Sequence, residues 1–84
     1  MRTWPMTLND GSEHQVTMCG ASDGVLWIYL FGSTMQEALP IFSNPEKTSV
    51  ITVYGDVVHE NYINLIHLSV EQDGQVRIAL RKGV

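Results

Sequence analysis

The sequence predicts a mainly β fold of the α+β kind. It reads as six to seven short, mostly antiparallel strands, in a sheet or partly open barrel, with one short helix. Three observations predict this. Apolar and polar residues alternate strictly at both ends of the chain, the signature of half-buried strands. Each alternating stretch is broken by an Asx-Gly turn, Asn9-Asp10-Gly11 and Gln72-Asp73-Gly74. Only one segment, 33–42, combines helical spacing with a helix-start signal. With 84 residues there is room for one domain, residues 1–84, and a chain of this size buries roughly 60–65% of its unfolded surface.

In the first hairpin, Trp4, Met6 and Leu8 point one way, with Thr3, Pro5 and Thr7 between them. A two-residue turn at Asp10-Gly11 would set Met6 opposite Gln15 and Leu8 opposite Glu13. A three-residue loop instead sets Trp4 opposite Val16 and Met6 opposite His14. It also places Gly11 in the left-handed conformation that glycine adopts without steric cost. A one-residue slip would turn the whole apolar set to the wrong face, so the three-residue loop is the expectation. Residues 21–24 then read as a turn into Val25–Phe31, an unbroken apolar run expected to be central and covered on both faces. Within it Trp27, Tyr29 and Phe31 share one face, and Leu26, Ile28 and Leu30 the other.

The helix is expected over 33–42. Ser33 with Gln36, or Thr34 with Glu37, has capping-box spacing, and Met35 and Leu39 fall on one side. Pro40 removes an internal hydrogen bond, so the helix is about two turns long or kinked there, and Asn44-Pro45 ends it. Thr48–Tyr54 reads as a β-branched strand, Gly55-Asp56 as a turn, and Val57–Glu60 as a short return strand. Residues 61–64 form an irregular joint. In the last hairpin a three-residue loop pairs Val70 with Val76, Leu68 with Ile78 and Ile66 with Leu80. On its other face Ser69 meets Arg77 and His67 meets Ala79.

The formal net charge is −4. Three of the five basic residues, Arg77, Arg81 and Lys82, sit at the C-terminal end, while all nine acidic residues precede them. An acidic body of this kind lacks the basic face that neutralises phosphates, which argues against nucleic acid. The longest apolar run, seven residues, is far short of the roughly 20 a membrane helix needs. The N-terminus has no apolar signal segment, so no membrane is expected and an intracellular setting is the default.

No catalytic, cofactor-binding or metal-ligating residue stands out, and no small-molecule substrate is evident. Cys19 is the only cysteine; near Gly20 at the end of a predicted strand it lacks the cation or helix terminus that activates a thiol. His14, His59 and His67 have no zinc-ligand spacing. His14 is expected to be partly buried and His67 solvated. Gly20-Ala21-Ser22-Asp23-Gly24 has no following Lys-Ser or Lys-Thr and leads into a strand, so it is not a phosphate loop. Trp4, Trp27, Tyr29, Phe31, Phe42, Tyr54 and Tyr62 exceed the needs of one thin core. Any that is exposed would mark a protein contact, because Trp and Tyr dominate interface energetics.

Leu8-Asn9-Asp10-Gly11, Cys19-Gly20, Asp23-Gly24-Val25-Leu26-Trp27, Phe42–Thr48, Tyr62–Leu65 and Leu80-Arg81-Lys82 together resemble small uncharacterised prophage proteins encoded near phage tail and structural genes. The resemblance spans about Met6 to Lys82, and departs at Asn61-Tyr62-Ile63, where Gly-Tyr-Thr is expected. It implies a non-enzymatic tail-associated or assembly protein acting through protein–protein contacts, with a protein partner or self-association. The alternative is a small phage accessory protein that binds and modulates a host protein. Either would be found in the host cytoplasm or on the virion, and neither needs a cofactor.

Overall fold

The computed structural model describes all 84 residues. Its seven strands are β1 (Trp4–Thr7), β2 (Glu13–Ser22), β3 (Val25–Leu30), β4 (Val50–Val53), β5 (Val57–Glu60), β6 (Asn64–Val70) and β7 (Val76–Arg81). Two helices, α1 (Met35–Phe42) and α2 (Pro45–Thr48), lie between β3 and β4. The strands form one antiparallel sheet in the order β5-β4-β1-β2-β3-β7-β6.

The first and last hairpins of the chain turn as the alternation requires. Trp4 pairs with Val16 and Met6 with His14 across a three-residue loop, and Val70 pairs with Val76, Leu68 with Ile78. Both loops share one construction. Leu8 N donates to Ser12 O at 2.9 Å and Glu71 N to Gln75 O at 2.8 Å. Gly11 (φ 84°) and Gly74 (φ 88°) take the left-handed position. Asp10 Oδ1 and Asp73 Oδ1 each accept the backbone N–H two residues on, from Ser12 and Gln75. This is the Asx turn that makes aspartate favourable at these points.

Several expectations are corrected. In the last hairpin Leu80 pairs with Leu65, not Ile66; a bulge between Leu65 and His67 leaves Ile66 as the extra residue. The bulge spares the core a misfit, since it returns Leu65 to the face that Leu68 occupies. Strand β2 runs past Cys19 to Ser22, so Cys19 lies inside it, and the turn shrinks to Asp23-Gly24. Both turn residues have positive φ, 54° and 76°, the mark of a two-residue hairpin turn. Phe31 lies beyond the end of β3 and is 47% exposed. Strand β3 is central, but only its Leu26, Ile28 and Leu30 face is sealed; Val25, Trp27 and Tyr29 are half-buried.

The helical segment holds two helices rather than one. Thr34 caps α1: its hydroxyl accepts from Glu37 N and donates to Glu37 Oε1. The helix passes through Pro40 to Phe42. Ser43 ends α1, and Asn44 directly after it starts α2, its side chain accepting from Glu46 N, with Pro45 at the first helical position. Thr48 belongs to α2 and is fully buried. The fourth strand is correspondingly trimmed at both ends, to Val50–Val53.

The edge strands β5 and β6 are joined by only Asn61–Ile63. Seven flat strands would set those edges about 29 Å apart, while the joint reaches at most about 15 Å. The sheet therefore curls on itself like an open barrel. The joint is clasped by Asn61 N to Ser49 O (2.8 Å), Gly83 N to Asn61 O (2.7 Å) and Asn61 Nδ2 to Gly83 O (3.1 Å). The concave side holds the core: Met6, Val16, Leu26, Ile28, Leu30, Ile51, Val53, Val76, Ile78 and Leu80, closed by Phe42 and Ala38 of α1 and by Tyr62.

Tyr54 adopts φ 55°, a costly conformation for an aromatic residue. In return its ring stacks edge-on against Trp4 (5.3 Å) and its hydroxyl accepts from Cys19 N (3.0 Å), beyond the reach of β1. Replacing Tyr54 by Phe keeps the ring contact and orphans that N–H. Urea unfolding should show a loss of about 1–2 kcal/mol; unchanged stability would show that solvent satisfies the Cys19 amide.

Candidate functional site: an aromatic and ionic cluster on the outer sheet face

Alternation along β3, β6 and β7 sends one residue in two to the convex face, which no helix covers. Tyr29 lies opposite Arg77 and Trp27 opposite Ala79; Arg77 in turn lies opposite Ser69, and Ala79 opposite His67. Ala79 is fully buried on this outer face, because the rings of Trp27 and His67 close over it, their centroids 5.9 Å apart. A small residue at the centre is what lets two large neighbours meet.

Arg77 organises the cluster. Its guanidinium lies 5.5 Å from the Trp27 ring centroid. Nη2 is 3.4 Å from His67 Nε2, and Nε is 2.9 Å from Glu71 Oε1. The Glu71 contact is poorly aligned for a hydrogen bond, so it acts through charge more than direction. Arg77 and Glu71 are each about one-third exposed, and a pair so open to water contributes little stability. Its effect is to hold the guanidinium over the Trp27 ring. Gln75 buttresses the end of the hairpin, its amide donating to Asp73 Oδ2 at 2.6 Å while its carbonyl accepts from the Thr17 hydroxyl. Tyr29, Glu71, Gln72, Asp73 and Arg77 rim an open hollow of about 490 Å³ beside the cluster.

His67 is not freely solvated as expected; it is half-buried against Trp27, and Ser69 Oγ lies 2.9 Å from its Nε2. The Ser–His contact does not build a nucleophile. Ser69 and Arg77 converge on the same ring nitrogen, so the lone pair a general base would use is shared with a guanidinium. Alternation foretold the facing pairs, but not the convergence on Arg77, which depends on side-chain conformations.

The remaining reactive groups point inward and are not brought into this cluster. Cys19 is buried, and burial pushes its thiol up to about 12, so it stays protonated and inert. His14 packs against Phe42 (6.0 Å) and His59 against Tyr62 (6.0 Å). Their Nε2 atoms are buried and have no hydrogen-bond partner. Burial lowers both pKa values, an effect that the Asp10 carboxylate partly opposes at His14. No three His, Cys, Asp or Glu side chains are grouped as metal ligands would be.

Because His14 and His59 are harder to protonate folded than unfolded, the unfolded chain binds more protons as pH falls below about 6.5. Their neutral burial therefore supports the fold at neutral pH, and this support is lost as pH drops through the unfolded value toward the lower folded ones. Urea midpoints should fall between pH 7.5 and 5, and the double variant His14→Gln, His59→Gln should show a flatter dependence. An equally steep fall in that variant would assign the effect to the carboxylates. No family model, curated protein or solved structure matches the chain.

Proposed function

We propose that this protein is a non-enzymatic contact module whose outer sheet face docks on a partner protein. The observation that carries the reading is the gathering of Trp27, Tyr29, Met18 and Arg77 on a face that no element of the chain covers. Trp, Tyr and Arg are the residues that most often dominate binding energy, and Met adapts to irregular surfaces. Here the guanidinium already lies over the aromatic ring, so little side-chain freedom is lost on docking. The resemblance to small prophage proteins supports a particular setting, phage assembly, with a tail or other structural protein as the partner. The chain would then act in the host cytoplasm or on the virion.

The test is affinity capture from a host whose prophage has been induced, followed by mass spectrometry and titration with the purified partner. A phage structural protein is the expected partner; capture of a host regulatory protein alone would replace assembly with modulation of the host. Trp27→Ala and Arg77→Ala should each weaken binding by about 30-fold while leaving the far-ultraviolet circular dichroism unchanged. Full affinity in both variants would overturn the assignment of the outer face.

A further inference from the structure

The two edges of the sheet are not alike. Strand β5 is four residues long and ends in Glu60, with Asp56 just before it. Strand β6 is seven residues long, Asn64–Val70, and carries no lysine, proline or carboxylate along its length. Protein edges are ordinarily guarded by such residues.

The direction of the β6 backbone groups follows from two bonds at its ends. Lys82 N donates to Gly24 O, so alternate residues Val76, Ile78 and Leu80 bond back to β3, leaving Arg77 and Ala79 to bond β6. Glu71 N donates to Gln75 O, which gives the same alternation from the other end. Ser69 and His67 therefore spend their N–H and C=O groups on β7, while those of Leu68 and Val70 face outward. None of the backbone bonds made outside the strands reaches Leu68 or Val70. Around them apolar surface is open: Val70 is 54% exposed and Ile66 44%. Helix α1, which packs on β6 and β7, leaves Met35 and Leu39 exposed.

We propose that β6 pairs with β6 of a second copy of this chain, antiparallel and centred on Ser69, joining the two sheets into one. The strand is complementary to itself in this register. Val70 exchanges two backbone hydrogen bonds with Leu68 of the partner copy, and the symmetric pair gives two more. Ser69 faces its own counterpart, and Glu71 faces His67 of the other copy, so an acceptor meets a donor on the outer face at both ends. The apolar side chains of Leu68 and Val70 adjoin on the inner side. Centring on Leu68 instead would set Val70 against the bulged Ile66, where the regular backbone alternation is broken. The proposal rests on the reading of the chain as a contact module only in its general sense, since it uses the sheet edge and shares only Glu71 and His67 with the outer-face cluster.

The test is light scattering over a wide range of concentration, combined with cross-linking. At a non-hydrogen-bonded pair the Cα atoms lie about 4.5 Å apart, within the roughly 4.4–6.8 Å a disulfide spans. Ser69→Cys should give a covalent dimer under oxidised glutathione, and Glu71→Cys should not, because residue 71 faces residue 67. Cys19 is buried in both. Val70→Lys should weaken dimerisation by at least about tenfold, with an unchanged circular dichroism spectrum. Single-chain mass at every concentration, or equal cross-linking of the two cysteine variants, would overturn the proposal. A monomer that still binds its partner through Trp27 would sink the edge pairing alone. A dimer insensitive to Trp27→Ala and without any partner would sink the outer-face reading alone.

Discussion

Three residues, Asn61–Ile63, connect strands at opposite edges of a seven-stranded sheet, and the rest of the molecule is arranged around that short reach. A flat sheet cannot satisfy it, so the sheet curls, and curling creates a concave side that apolar residues fill and a convex side left to solvent. The joint is rigid for identifiable reasons. Asn61 takes a left-handed φ of 67°, which asparagine tolerates better than most residues, and its backbone and side chain bind both Ser49 and Gly83. Gly83 fits closely there: a Cβ would lie 2.7 Å from Ile63 Cδ1, so a larger residue would have to displace the Ile63 side chain. The curl thus depends on a polar clasp at the rim as well as on apolar collapse within.

The curl also sorts the side chains by what they can do. Cys19, His14 and His59 are turned toward the core, where desolvation holds the thiol protonated and disfavours imidazolium. Phe42, carried into the concave side by α1, is fully buried there and completes the core. The convex side receives Trp27, Tyr29, Arg77 and His67, groups that recognise surfaces. Burial on one side and a stacked cluster on the other are the features on which the proposed docking role is built.

The parts of this fold that could be read in the sequence are those set by period and turn chemistry. The Asx-Gly loops fixed two hairpin registers, because a one-residue slip would expose Met6 or Leu68 and the pattern permits only one solution. In β3, an unbroken apolar run, the two-residue period alone separated Leu26, Ile28 and Leu30 from Trp27 and Tyr29, and gave no sign that only the first face is sealed. What was not legible depends on contacts remote in sequence. The bulge at Ile66 exists because Leu65 must meet Leu80, and an unbroken alternation gives no sign of it. Asn44-Pro45 follows the end of one helix and starts the next, two roles that the same dipeptide signals equally. The joint at 61–63 looks irregular locally; its role as the closure appears only once strand order is known. The outer cluster was half legible, since facing pairs follow from register but the convergence of Glu71, His67 and Trp27 on Arg77 does not.

The bulge that escaped the sequence reading also shapes what the edge offers. By inserting Ile66 it breaks the regular outward alternation in the first half of β6, near the clasp where the two edges converge. The second half, from His67 to Val70, keeps the regular ladder and lies away from that clasp. A barrel of this size could have closed by pairing β5 with β6 along their whole length. Because the joint meets the edges at only one end, the far end of β6 is left with outward backbone groups and a half-exposed valine. The constraint that curls the sheet is therefore the one that leaves its single unguarded edge open to another strand.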